Sequence, residues 1–490
     1  MICVPIVART NRAARADLAR AAALADIAEL RLDYLQEPPD LEFLLADRPC
    51  PVIVTNRAPR QGGFFEGGEV ERVALLREAV FEGVEYIDIE HDAVGRLRER
   101  LGTKVIVSYH NFEETPLDLH RIAQNLLGAG GDIIKVATYA RDVSDTVRLC
   151  QLASDIGVPK IILGMGPRGV ATRILARKFG SFLTYAALAA GKASAPGQPT
   201  VRELLDIYHF RSIRAETRVY GVVGNPLGHS LSPQVQNAAF HHAGLDAVYL
   251  PFEVEDFGQF FKSSRCINPQ GFSVTIPHKE AAARLVGEVD EITGKIGAVN
   301  TIVYREGRTV GTNTDWRAAL AAVKSVLPEG ETLAGKRALV LGAGGAARGI
   351  VFGLASDGAE LTIANRTLER AESLAKEAGC RSVPWEKRAA IPADIIVNST
   401  SLGMYPAVEA TPYPKEALKS GQVVLDAVYN PRRTRFLEEA AEMDCLIVEG
   451  LEMFVHQAAV QFEFWTGAKA PIEVIREAAV AALENVEQAE

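Results

Sequence analysis

At 490 residues the chain exceeds one ordinary hydrophobic core and predicts two to four domains. Its 48% hydrophobic and 23% charged content is that of a globular protein, and a formal net charge of −9 argues against nucleic-acid binding. Six cysteines (Cys3, Cys50, Cys150, Cys266, Cys380, Cys445) are scattered with no C-x-x-C pair. They predict reduced thiols, no cysteine metal site and a cytoplasmic location. The amino terminus, "MICVPIVART", opens directly on a strand rather than a targeting segment, and no apolar run approaches the ~20 residues of a membrane span.

Short apolar runs then alternate with helical patterns. The predicted strands are "ICVPIVA", "IAELRLDYL", "PVIVTNR", "YIDIEH", "KVIVSYH", "IIKVATY", "KIILGMG" and "FLTYAAL", with amphipathic segments such as "DVSDTVRLCQLASDIG" between them. Eight strands with intervening helices predict a (β/α)8 barrel over residues 1–212. In such a barrel, chemistry sits at the carboxyl ends of the strands. The second strand carries Glu29, Arg31 and Asp33 at alternating positions, which places all three on one face. The third ends in Arg57, the fourth in Asp88 and Glu90, and the fifth in His110. Lys135 interrupts the apolar sixth strand. A buried ammonium is costly, but a lysine that can lose its proton is a nucleophile able to form a Schiff base with a ketone. Arg173 follows the seventh strand, and the loop after the eighth reads "ASAPGQ". Each residue alone has a structural explanation, as an ion pair or a satisfied core histidine. So many charges in one barrel mouth favour catalysis.

In their order, "ELRLD", "TNRAPRQGG", "VSYHNF", "DIIKVAT", "GMGPRGVATR" and "ASAPGQ" resemble type I 3-dehydroquinate dehydratase. The resemblance implies a Schiff base on Lys135, with His110 as general acid/base and Glu29 as the carboxylate that orients it. It implies substrate binding by Arg31, Arg57, Arg173, Ser194 and Gln198. An iminium on Lys135 would acidify the α-proton that His110 removes, and positioned acid–base catalysis is worth roughly 10²–10⁴-fold. Arg173 offers a fork suited to a carboxylate.

A polar segment, "HFRSIRAETR" (209–218), precedes a new strand, "VYGVVG", and marks a domain boundary. Further on, "RALVLGAGGAARGIVFGLASDG" reads as strand, glycine turn and helix. Gly342, Gly344 and Ala347 fit G-x-G-x-x-A, so that the backbone of Gly342, Ala343, Gly344, Gly345 and Ala346 can approach a pyrophosphate. The next strand, "ELTIAN", ends in Asn365, Arg366 and Thr367, with Arg370 one turn on. Cations in place of the usual acidic residue suit a 2′-phosphate and predict NADP(H).

Around that fingerprint lie "GNPLGHSLSP", "SVTIPHK", "GAVNT", "GTNTDW", "NSTSLGM", "LDAVYNP" and "GLEMFVHQ", a set that resembles shikimate dehydrogenase over residues 218–490. The resemblance implies a substrate-binding domain at 218–316, with helices from 455–490 packing back on it, and a Rossmann-type domain at 317–454. It implies that Lys279 and Asp315 form the catalytic dyad and that Ser230, Ser232, Thr275, Asn300, Tyr429 and Gln457 face the substrate. Met404 and Gly450 would line the nicotinamide end. No metal site is expected, since the nine histidines include no H-E-x-x-H.

The two resemblances imply one enzyme: the first half makes 3-dehydroshikimate from 3-dehydroquinate, and the second reduces it to shikimate. A regulatory protein sensing these metabolites is the alternative from another class, but it would dispense with His110, Lys135, Lys279 and Asp315. A quinate- or NAD-preferring dehydrogenase is the alternative within the class. Thr in place of Ser230 or Ser232, or an acid in place of Arg366, would signal it.

Overall fold

The computed structural model describes residues 1–97, 99–228 and 230–489, with side chains as far as residue 485. The chain divides into two compact units: 1–219 with 246–268, and 220–245 with 269–490. The "GNPLGHSLSP" motif is described except at residue 229, and the expected carboxyl-terminal boundary, residue 490, lies outside the described residues.

In the first unit all eight expected strands form: β1 (Ile2–Ile6), β2 (Ile27–Arg31), β3 (Val52–Thr55), β4 (Tyr86–Glu90), β5 (Lys104–Asn111), β6 (Ile133–Tyr139), β7 (Lys160–Met165) and β8 (Thr184–Tyr185). They lie parallel in the order β7-β6-β5-β4-β3-β2-β1-β8, a nearly closed barrel. The last strand is much shorter than its apolar run suggests. It pairs with β1 through Ile2–Thr184 and Cys3–Tyr185, and the Phe182 N–H donates to the Lys160 carbonyl across the β7 seam at 2.7 Å. Cys3, Ile27, Ile53, Ile106, Ile133 and Ile161 fill the barrel interior. The 209–218 segment is not a free tether: Phe210 and Ile213 are buried, and Arg211 pairs with Asp26.

In the second unit, β9 (Arg218–Gly224), β11 (Pro269–Val274), β13 (Thr301–Arg305), β14 (Arg308–Thr312) and β12 (Glu288–Val289) lie side by side in that order, while β10 (Ala247–Glu253) falls in the first unit. The helices Gly450–Thr466 and Ile472–Ala489 pack back on the helix Ser232–His242. The dinucleotide-type sheet is parallel, with β15 (Arg337–Leu341), β16 (Glu360–Asn365), β17 (Arg381–Pro384), β18 (Ile395–Asn398), β19 (Val423–Asp426) and β20 (Leu446–Val448) in the order β17-β16-β15-β18-β19-β20. Its two faces carry separate apolar cores, one around Val340, Ile350 and Leu354 and one around Leu339, Ile396 and Phe436. The order reverses between β15 and β18, which is where doubly wound sheets open a ligand crevice.

Candidate active sites

Lys135 points into the barrel because side chains alternate along a strand: Ile133 and Ala137 share its face and join the interior core. Strand register sets Glu90, Ser108, Lys135 and Ile161 at one level. Lys135 is 5% exposed, and its ammonium does not stand alone. Lys135 Nζ donates to Asp88 Oδ2 at 2.8 Å and to the Tyr185 hydroxyl at 3.0 Å, and Glu29 Oε1 is 3.7 Å away. Charges then alternate beneath the mouth. Asp88 pairs with Arg57 at 2.7 Å, Arg57 with Glu90 at 3.1 Å, and Glu90 with Arg72 at 2.7 Å. This alternation offsets what burying each charge would cost alone. Burial would raise the Asp88 carboxyl, but Arg57 and Lys135 hold it well below the usual carboxylate range.

One cavity is lined by Lys135, His110, Glu29, Arg173, Ser194 and Gln198, with Arg31 and Arg57 also on its wall. The arginines differ in what they have left to give. Arg31 is bonded twice to Asp33, at 2.9 and 2.7 Å, and Arg57 is held by Asp88, Glu90 and Ser108. Arg173 is 2% exposed, makes no ion pair among the described residues, and leaves its buried Nε without a partner. Burial pushes its guanidinium down to about 10. Gln198 accepts from the Ser194 N–H and hydroxyl, and its buried Nε2 is likewise unsatisfied. A buried cation beside an unmet amide donor is a socket for an anion. Burial, followed by the charges of Arg57 and Lys135, pushes the His110 imidazole well below its ordinary value, so it is a neutral base.

In the second unit three separated motifs are drawn together. The Val299 N–H donates to the Lys279 carbonyl, and Asn300 Nδ2 donates to Asp315 Oδ1 at 2.7 Å and Thr314 Oγ1 at 3.0 Å. Lys279 Nζ then donates to Asp315 Oδ2 at 2.6 Å. Asp315 opens the helix Asp315–Lys324, which packs against the helix Gly345–Ser356. That packing needs glycine: a Cβ on Gly349 would meet the Asp315 Cβ at 2.8 Å, and one on Gly353 would meet the Trp316 carbonyl oxygen at 2.4 Å. The same approach brings Lys279 Cδ within 3.7 Å of a Cβ built on Gly345. The dyad therefore stands beside the glycine turn.

That turn suits a dinucleotide. Gly342 has φ +116°, and a Cβ there would meet Ser399 Oγ at 2.5 Å. Gly344 faces open space at the head of the helix, flanked by Ala343, Gly345 and Ala346. Asn365 closes β16 and donates to the Thr367 carbonyl; Arg366 and Arg370 are exposed and make no ion pair among the described residues. Gly450 lies against the carbonyls of Asp426 and Val428, next to the half-buried Tyr429, while Met404 is 46% exposed. The Thr275 N–H donates to the Val223 carbonyl, and the Ser232 N–H to Ser230 Oγ. No hydrogen bond among the described residues joins Ser230, Ser232, Thr275, Tyr429 or Gln457 to the dyad.

Comparison with known proteins covers both sites. The chain is 41% identical to the bifunctional 3-dehydroquinate dehydratase/shikimate dehydrogenase of Arabidopsis thaliana, over 97% of this chain and 83% of that one. The chain belongs to this bifunctional family. Within it, residues 2–215 match the type I 3-dehydroquinase family and residues 222–302 the shikimate dehydrogenase substrate binding domain. Residues 323–420 match the shikimate/quinate 5-dehydrogenase family, and 450–480 the shikimate 5′-dehydrogenase C-terminal domain. The shikimate dehydrogenase (NADP(+)) of Bacillus cereus is 43% identical over 53% of this chain and 96% of its own. The crystal structure of Thermus thermophilus shikimate 5-dehydrogenase with NADP(H) and shikimate superposes with a TM-score of 0.50 at 37% identity, over 54% of this chain and 99% of that one.

Against the reading from sequence, two placements differ. Asp33 is not on β2 but in the turn Leu32–Tyr34, because the strand ends at Arg31 and the turn folds the carboxylate back onto that guanidinium. Glu29 does not bond His110; it accepts from Thr55 at 2.8 Å and faces Lys135. The group on the histidine is Gln61, whose Oε1 accepts the His110 N–H at 3.0 Å and lies 3.1 Å from Nδ1. A neutral glutamine in a glycine-flanked turn carries no charge signal. Tyr185 was hidden likewise, as an aromatic in an apolar run.

Proposed function

We propose that the barrel dehydrates 3-dehydroquinate through an imine on Lys135 and that the second unit reduces the resulting 3-dehydroshikimate to shikimate, with Lys279 and Asp315 handling the proton. The chain is a bifunctional lyase and oxidoreductase, and its coenzyme is NADP(H). The observation that carries the dehydratase reading is the single cavity shared by a buried amine and an uncompensated guanidinium.

Arg173, with Ser194 and Gln198, would take the substrate carboxylate, which places the ketone toward Lys135. Arg31 and Arg57, already paired, contribute positive potential to the wall rather than a free fork. The neutral imidazole of His110 would remove the α-proton and return it to the departing hydroxyl. An amide oxygen at Nδ1 favours the Nδ1–H tautomer and leaves Nε2 as the base. Glu29 would balance charge at the nitrogen.

In the second unit, Gly342 to Ala346 would receive the pyrophosphate and Asn365, Arg366, Thr367 and Arg370 the 2′-phosphate, with Met404 and Gly450 at the nicotinamide end. Bound NADPH supplies a hydride. Lys279 polarises the ketone and delivers the proton to its oxygen, while Asp315, itself fixed by Asn300, holds the ammonium. Ser230, Ser232, Thr275, Tyr429 and Gln457 would hold the carboxylate and ring hydroxyls.

The domain limits are proposed as 1–212, 218–316 and 317–454, with 455–490 returning to the substrate side. A cytoplasmic location fits six cysteines that are all unpaired. The partners proposed are small molecules, and no helix among the described residues is long and apolar enough to cross a membrane. The test is direct: purified protein given 3-dehydroquinate and NADPH should consume both and accumulate shikimate. Consumption of neither, or a product other than shikimate, refutes the reading.

A further inference from the structure

The Tyr185 side chain has no part in the roles assigned above, yet it touches the reacting nitrogen. Its hydroxyl accepts from Lys135 Nζ at 3.0 Å, and the ammonium lies 4.3 Å from its ring centroid. Tyr185 is 4% exposed and lines the same cavity as His110 and Arg173. As an acceptor the hydroxyl is occupied by Lys135. As a donor it has no acceptor among the described residues. Burial and the nearby carboxylate of Glu29 push the phenol well above its ordinary value, so its proton is present at neutral pH.

We propose that Tyr185 is a catalytic residue of the dehydratase, relaying protons from Lys135 Nζ to the substrate's ketone oxygen as the imine forms. The inference rests on the reading that Lys135 forms that imine. An ammonium has three hydrogens and an iminium nitrogen keeps one, so two must move to the oxygen that departs as water. Asp88 engages one N–H, and Tyr185 accepts another. In the first pass, Nζ gives a proton to the tyrosine oxygen while the tyrosine proton passes to the ketone oxygen. The nitrogen lone pair forms the N–C bond, and the π pair settles on oxygen. In the second pass the same relay protonates the hydroxyl. The C–O bond breaks with its pair on the leaving water, and the nitrogen pair closes C=N. Two hydrogens have then left nitrogen, two have joined oxygen, and the tyrosine is restored each time. No outside acid or base enters, and the third hydrogen stays on the nitrogen, held by its bond to Asp88. An oxygen attached to the carbon bonded to Nζ lies next to that nitrogen, within reach of a hydroxyl already 3.0 Å from it. His110 is left for the α-carbon.

Tyr185→Phe removes the hydroxyl and keeps the ring in the core. In the full chain, single turnovers with 3-dehydroquinate are quenched with borohydride and the reduced adduct on the Lys135 peptide is followed in time. The relay predicts that Tyr185→Phe slows adduct formation by about tenfold or more, the low side of positioned acid–base catalysis. It also predicts a smaller α-deuterium effect on kcat, because imine formation becomes the slow step, while the unfolding midpoint stays put. A loss of activity seen only in KM, with adduct formation within twofold of the unmodified rate, assigns the hydroxyl to packing and overturns the relay. In the unmodified protein, adduct formation should be slower in deuterium oxide, and equal rates in the two solvents overturn the relay even if Tyr185→Phe fails to fold. An adduct on a lysine other than Lys135 removes the covalent reading and the relay together. An adduct on Lys135 with unchanged kinetics in Tyr185→Phe removes the relay alone.

Discussion

Replacing Gly349 with alanine sets two well-known effects against each other. Position 349 is inside the helix Gly345–Ser356 with ordinary helical geometry, so alanine should stabilise it by about 0.4–1 kcal/mol through the unfolded chain. The added methyl, however, would lie 2.8 Å from the Asp315 Cβ and 3.3 Å from Asn313 Oδ1. Carbon atoms settle at about 3.5–4.0 Å, so the helix bearing Asp315 has to give way by about 0.7 Å or more. Overpacking of this kind costs about 1–3 kcal/mol, which exceeds the propensity gain. The Cβ that has to move carries the carboxylate that holds Lys279 at 2.6 Å. Because a 1 Å misplacement can cost about 10²-fold, reductase kcat should fall by about tenfold or more. The assay measures both half-reactions in the full chain, together with the denaturant midpoint at which reductase activity is lost. Dehydration should be unchanged, reduction slowed, and the midpoint lowered. A Gly349→Ala protein with a raised midpoint and reductase kcat within twofold of the parent refutes the close-packing account.

Arg173→Gln should raise KM for 3-dehydroquinate by about 10–100-fold, since hydrogen bonds to a charged group are worth about 1.5–3 kcal/mol each. It should leave ligand-free stability equal or higher, because an uncompensated buried charge is gone; initial rates and thermal unfolding check both. The depressed His110 should keep dehydratase kcat/KM high as pH falls through about 6.5, with the acid limb lying below that value. Folding carries the same sign: the contribution of this group is complete above the unfolded value and lost as pH falls through the depressed one. A pH profile whose acid midpoint is at or above 6.5 contradicts this placement. Arg366→Ala should raise KM for NADPH by about tenfold with a smaller effect on NADH, again from charge-assisted bonds; equal losses would mean that it does not read the phosphate. Lys135→Ala should silence dehydration and spare reduction of supplied 3-dehydroshikimate, and Lys279→Ala the reverse. Either substitution silencing both activities in a folded protein refutes separate sites.

Barrel strands were legible because each is a mostly apolar run buried on both faces, with charge at strand starts such as Lys104 and Lys160 and on the side chains that face the cavity. Length was not legible for β8, since Ala186 and Ala187 continue the apolar run past Tyr185, the last residue in register with β1. Lys135, His110 and the Lys279–Asp315 pair stood out because charge in an apolar or motif context is conspicuous. Partner choice did not. Which carboxylate meets which cation depends on strand register and on turns such as Leu32–Tyr34, and alternation alone cannot reveal that Glu29 faces Lys135 while Gln61 faces His110. The contact of Gly349 with Asp315 was likewise invisible, because a glycine advertises freedom of the chain and not what approaches it.

The bare guanidinium of Arg173 has a consequence for the protein between turnovers. Holding a cation out of water without a counter-charge makes the empty barrel less stable than the same barrel with a carboxylate in place, so occupancy and folding are coupled. A ligand present at about a hundred times its dissociation constant adds about 2.7 kcal/mol to the folded state. On the proposed role of Arg173, substrate and product both carry the carboxylate it lacks. The dehydratase half is therefore hardest to unfold when its metabolites are abundant, and it loses that protection as the reductase half clears them.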